Sequence, residues 1–64
     1  MVEFKLPDMT CGHCAATVKR TVQALDAGAE DLVDLPTHVV RIDTQVDEAT
    51  LRAALTDEGY TPAN

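Results

Sequence analysis

Met9-Thr10-Cys11-Gly12-His13-Cys14 is the stretch on which the reading of this chain turns, and it holds both cysteines. Before it, Val2, Phe4 and Leu6 alternate with Glu3 and Lys5, the period of a strand with one buried face. After it, Ala15, Val18, Val22 and Leu25 recur at helical spacing, while Thr17, Lys19, Arg20 and Gln23 take the wet side. A strand that ends at Pro7-Asp8 and a helix that starts at Gly12 or His13 therefore meet in a loop carrying two thiols. Gly28 is expected to supply the left-handed residue that stops this helix.

Working outward, Leu32 to Leu35 and His38 to Ile42 read as two extended runs joined by a turn at Pro36-Thr37. Glu30 and Asp31 are poor strand formers, so the first of these strands is expected to be short or irregular. Asp47 is placed to N-cap a second helix, with Val46 stapling onto Leu51, and Leu51, Ala54 and Leu55 facing inward. Gly59 suits the position after its end. Tyr60-Thr61 then supplies a last short strand, closed by Pro62. The order β-α-β-β-α-β with short connections predicts an α+β, ferredoxin-like sandwich. Its four-stranded antiparallel sheet carries both helices on one face, and Glu3, Lys5 and Arg41 meet water on the other.

A chain of 64 residues forms one domain, here 1–64, and buries only about 60% of the surface its unfolded form exposes. A net charge of −6 argues against nucleic acid and anionic lipid as partners, since both reward basic surfaces. With Phe4 and Tyr60 the sole aromatics, no stacking platform is available either. No run approaches the ~18 apolar residues of a membrane span, and no secretory pattern opens the sequence, so a cytoplasmic protein without membrane insertion is expected. In that reducing compartment two close cysteines point to metal binding or redox chemistry more than to a structural disulfide.

Two thiols three positions apart at a helix start favour thiolate, because the unpaired backbone N–H groups there carry partial positive charge. One sulfur comes from the loop and one from the first helical turn, so both can face a single ion. Cys11 and Cys14, with no further Cys and no carboxylate inside the motif, suit a soft, low-coordinate cation such as Cu(I) better than zinc, which takes about four ligands. Met9 reads as a hydrophobic anchor beneath the loop, with a thioether that two thiolates outcompete. His13 reads as a solvated neighbour, or as an extra ligand or charge when two molecules meet in a metal-linked homodimer. Tyr60 is expected near the loop, packing on Met9 or shielding the ion. His38, at a distant turn, reads as a surface residue.

The hexapeptide with Ala15 and Val18 behind it, and Gly59-Tyr60 after the second helix, resembles the heavy-metal-associated domain, and within it the small bacterial copper chaperones of the CopZ type. The resemblance covers essentially the whole chain. It implies Cu(I) held by Cys11 and Cys14, no enzymatic turnover, and delivery by ligand exchange to similar domains of a copper-transporting P-type ATPase. For Tyr60 it implies a place beside the metal. Asp8 departs from the usual glycine and alters the charge at the mouth of the site. Thr10 in place of a carboxylate weakens a zinc-exporter reading. Mercury transport proteins share the motif, and a metal-sensing module would too. Cys-Gly-His-Cys also occurs in dithiol oxidoreductases, but that reading needs a longer chain and a different fold.

Overall fold

The computed structural model describes residues 2–63. Strand β1 (Val2–Lys5) is followed by helix α1 (Gly12–Leu25), strands β2 (Glu30–Asp34) and β3 (Val39–Asp43), and helix α2 (Glu48–Asp57). The sheet is antiparallel and three-stranded among the described residues, in the order β1-β3-β2. Phe4 stands opposite Val40 on β3, and Val33 of β2 stands opposite Val40 from the other side. Because the side-chain period of a strand is two, this register sends Phe4, Val40 and Ile42 to one face, where all three are fully buried. Val18 and Val22 of α1 and Leu51 and Leu55 of α2 close the core over them, with Leu6, Met9 and Ala29. Glu3, Lys5, Leu32, Asp34 and Arg41 stay exposed.

The sheet differs from the four strands read in the sequence. Tyr60-Thr61 is not a strand; the tail instead runs beside β1, where the Ala63 N–H donates to the Lys5 carbonyl at 2.8 Å. Pro62 has no N–H to offer a ladder, which works against a regular strand there. Conversely, β2 is regular over all five of its residues and pairs with β3 throughout. Glu30, Leu32 and Asp34 point to solvent from this edge strand, where acidic side chains cost little and discourage pairing with another chain.

Helix ends also depart from expectation. Gly28 does not adopt a left-handed conformation; α1 stops because Asp26 turns to extended backbone (φ −151°), and the Gly28 N–H donates to the Asp26 carboxylate at 3.0 Å. The other oxygen of Asp26 accepts from the Thr44 hydroxyl at 2.6 Å, which ties the end of α1 to the end of β3. These donors hold the Asp26 carboxyl below its ordinary range, the Thr44 hydroxyl most of all. At the end of α2 the glycine does act: Gly59 has φ +95°, and Gly59 and Tyr60 N–H groups donate back to the Thr56 and Leu55 carbonyls at 3.0 and 2.9 Å. This left-handed stop turns the chain so that Tyr60 comes back along α1. Asp47 is the N-cap of α2, but its carboxylate accepts from the Thr50 hydroxyl and not from a backbone N–H.

Candidate metal centre

The cysteine loop is built from below. Leu6-Pro7-Asp8-Met9 forms a tight turn in which the Met9 N–H donates to the Leu6 carbonyl at 2.9 Å, with proline at the position its fixed φ favours. Leu6 and Met9 are both fully buried, so the turn is nailed to the core at each end and Pro7-Asp8 stands out in water. Met9 thus has its side chain in the core beneath the loop.

Cys11 is the N-cap of α1, with extended backbone (φ −150°, ψ 171°), and its carbonyl accepts the first bond of the helix from Ala15 at 3.1 Å. Its sulfur makes no capping bond and is exposed. Cys14 lies one turn on, half-buried against the core. The two sulfurs are 3.4 Å apart and both thiols are free. The pair is thus convergent and open to solvent on the Cys11 side. Among the described residues no cluster of three or more His, Cys, Asp and Glu side chains forms that could hold an ion. His13 is exposed on the same turn.

The two thiols are not equivalent. The Cys14 thiol is lowered from 9.0 to about 7, first by the Tyr60 hydroxyl beside its sulfur, then by a backbone N–H at Thr10 and by the Cys11 thiol, against a smaller opposing effect of burial. The same contact raises the Tyr60 hydroxyl, which donates to the sulfur and would lose that bond on ionising. Beside the helix end to which the sequence pointed, a tyrosine 46 positions downstream supplies the largest of these hydrogen-bond effects.

Over residues 3–61 the sequence matches the heavy-metal-associated domain family. The chain belongs to that family. This heavy-metal-associated domain is 42% identical over 57 residues to the copper transport protein ATOX1 of Mus musculus, covering 89% of this chain and 81% of that one. It is 35% identical over 60 residues to copper-transporting ATPase 1 of Rhizobium meliloti (strain 1021), covering 91% of this chain but only 7% of the ATPase. A solved structure of copper chaperone Atx1 from Synechocystis PCC6803 superposes with a TM-score of 0.94 at 34% identity, covering 97% of this chain and 98% of that one. The ferredoxin-like plan, the domain type and the Cys-X-X-Cys spacing are those of a copper chaperone of the Atx1 and CopZ kind.

His38 is the residue that the sequence misplaced. It is half-buried, holds a left-handed backbone (φ 60°), and touches the cysteine loop twice: its carbonyl accepts from the Leu6 N–H at 2.7 Å and its ring Nδ1 lies 2.9 Å from the Met9 carbonyl. The β2–β3 turn thus buttresses the metal end of the domain.

A reactivity measurement checks the thiol asymmetry. Alkylation of Cys14 in the metal-free domain, followed residue by residue by mass spectrometry, should rise with pH around a midpoint of about 7. Tyr60→Phe should move that midpoint upward, because the largest cause is gone. Ionising more readily when folded also stabilises the fold above pH 9.0, and this contribution fades as pH falls through about 7. A midpoint near 9.0 in the unmodified domain would contradict the hydrogen-bonded arrangement.

Proposed function

We propose that this domain is a Cu(I) carrier: Cys11 and Cys14 hold one ion between them and surrender it by thiolate exchange to a related domain of a copper-transporting P-type ATPase. The observation that carries the reading is the pair of free sulfurs 3.4 Å apart, one exposed and one half-buried, with no third ligand assembled beside them among the described residues. Two thiolates satisfy a soft monovalent ion and leave zinc half-coordinated. The names of the relatives point the same way.

An open two-sulfur site also explains transfer. An incoming thiolate bonds to the ion first, the bond to exposed Cys11 breaks next, and Cys14 releases last, so the ion is never free in water. Taking metal–thiolate bonds of about 2.3 Å, sulfurs 3.4 Å apart subtend roughly 95° at an ion, whereas a linear pair would sit about 4.6 Å apart. Loading therefore moves Cys11 outward by about 1 Å, which its exposed position allows. Met9, His13 and Tyr60 surround the pair without ligating: Met9 anchors the loop, Tyr60 donates to Cys14, and His13 is available at the mouth to a second molecule. As such a carrier it works in the cytoplasm and without catalytic turnover. Among the described residues no helix is long and apolar enough to cross a membrane.

Anaerobic titration of the reduced domain with Cu(I), against a chromogenic Cu(I) chelator, should end at about one equivalent. Mixing the loaded domain with the metal-binding segment of such an ATPase should move the ion faster than its spontaneous dissociation allows. Turnover of disulfide substrates without tight Cu(I) binding would replace this reading with the oxidoreductase one.

A further inference from the structure

The outer face of the sheet ends on an uncovered leucine. Register sets Glu3, Arg41 and Leu32 side by side in one cross-strand row. The Arg41 guanidinium turns toward Glu3, with Nε 3.7 Å from the carboxylate, so the long side chain that could lie over Leu32 is drawn to the other side. Leu32 is left 69% exposed. A shallow cavity of about 410 Å³ opens beside it, with Thr37, Val39 and Arg41 in its wall. Among the described residues β2 is the outermost strand on this side, so its alternate N–H and C=O groups point away from β3 with no strand to meet them. Glu30 and Asp34 flank Leu32 on the same face, and both are exposed.

We propose that the β2 edge is a docking site for an extended basic segment of a partner protein, added to the sheet beside β2 with cations opposite Glu30 and Asp34 and an apolar side chain opposite Leu32. In such strand addition the backbone ladder supplies affinity, and alternate side chains supply specificity. The domain already uses the same pairing inside its own sheet, where Glu3 on β1 faces Arg41 on β3. Charge decides the occupant. A second copy laid antiparallel with Leu32 opposite Leu32 would set Glu30 against Asp34 twice, and a parallel copy in register would stack each carboxylate on itself; like charges directly opposite are destabilising. The carboxylates that keep a second copy off this edge therefore favour a basic strand, and the net charge of −6 draws one in. The edge lies across β3 from β1, the strand that leads into the cysteine loop, so an occupied edge leaves Cys11 and Cys14 open. None of these residues takes part in the carrier reading.

A synthetic peptide tests this on the whole reduced, metal-free domain. Its core alternates two lysines and a central leucine with threonines, and the titration is run at low ionic strength because exposed charge pairs are screened by salt. Nitrogen-15 spectra should show the largest amide shifts at Glu30–Asp34 and little change around the cysteine loop. A peptide of the same composition with its lysines adjacent, and one N-methylated throughout its core, should both bind markedly more weakly, since the first loses the alternation and the second the ladder. Leu32→Ser should weaken binding roughly two- to fivefold with the urea midpoint close to the parent's, because the leucine is exposed. Glu30→Lys together with Asp34→Lys should reject the lysine peptide and accept its glutamate counterpart. The proposal is overturned if millimolar peptide shifts nothing, if the shifts centre on the cysteine loop, if the reordered or N-methylated peptide binds as well, or if the charge reversal leaves the preference unchanged. Self-association of the peptide-free domain that Leu32→Ser abolishes would overturn it too, by making a second copy the occupant. One equivalent of Cu(I) bound by the parent domain would stand in every one of those cases, so the two readings fail separately.

Discussion

Phe4→Ala is expected to leave the metal-free domain largely unfolded at room temperature. Phe4 is fully buried on the sheet's inner face, opposite Val40 of the central strand β3, and the Arg52 guanidinium lies over its ring at 5.3 Å. Truncating a buried phenylalanine costs about 3–5 kcal/mol through lost transfer energy and the cavity left behind. A domain of 64 residues has roughly 3–10 kcal/mol in total, and small domains bury proportionally less surface. The loss is therefore comparable with the whole margin, and the sheet cannot collapse into the gap without breaking its register with β3. Urea titration followed by circular dichroism would show the effect as a transition already under way without denaturant. Cu(I) should restore much of the fold, because a ligand at 1,000 times its Kd adds about 4 kcal/mol to the state that binds it. A Phe4→Ala protein that unfolds cooperatively within about 1 kcal/mol of the parent would show that the core is not centred on this ring.

Periodicity made most of this architecture legible. The α1 stripe of Val18 and Val22, the alternation of Phe4 and Leu6, and the apolar face of Leu51 and Leu55 all fall in the core as their spacing implies. What failed was whatever depends on partners distant in sequence. The strand propensity of Glu30 and Asp31 is poor, but β3 offers a full ladder and an exposed edge, and tertiary pairing overrides the local preference. The last strand was read from a position in the topology; Pro62 removed a donor there, yet the Gly59 turn and the Ala63 bond to Lys5 still bring Tyr60 to the site. His38 left no periodic signal at all, since its bond to Met9 spans 29 positions. One clue was present: Leu35-Pro36-Thr37-His38 closes a hairpin with no glycine or asparagine, and histidine is among the few other residues that enter the left-handed region readily. The thiol chemistry divides in the same way. The spacing of Cys11 and Cys14 placed them together, but the largest hydrogen-bond effect on how readily Cys14 ionises comes from Tyr60.

Replacing either cysteine by serine should abolish stoichiometric Cu(I) binding, with affinity falling by at least about a hundredfold, because a serine hydroxyl is neither soft nor ionised near neutral pH. The two variants differ in what else they disturb. Cys11 occupies the N-cap of α1 without making a capping bond, and serine is a preferred N-cap whose hydroxyl can accept from the unpaired N–H groups of the first turn. Cys11→Ser should thus keep, or raise by up to about 1 kcal/mol, the stability of the metal-free fold while losing the ion. That combination is diagnostic, since a loss of binding through misfolding would lower both together. Cys14→Ser places a smaller, more polar atom against the core, but the Tyr60 hydroxyl beside it still finds a partner, so the fold should persist here too. If the two sulfurs grip one ion jointly, the double variant should bind no worse than either single one, because the site is already broken by the first change. Chelator competition on all three proteins, with urea midpoints measured on the same samples, checks the set. A folded Cys11→Ser protein that still holds one equivalent of Cu(I) as tightly as its parent would refute the two-sulfur site.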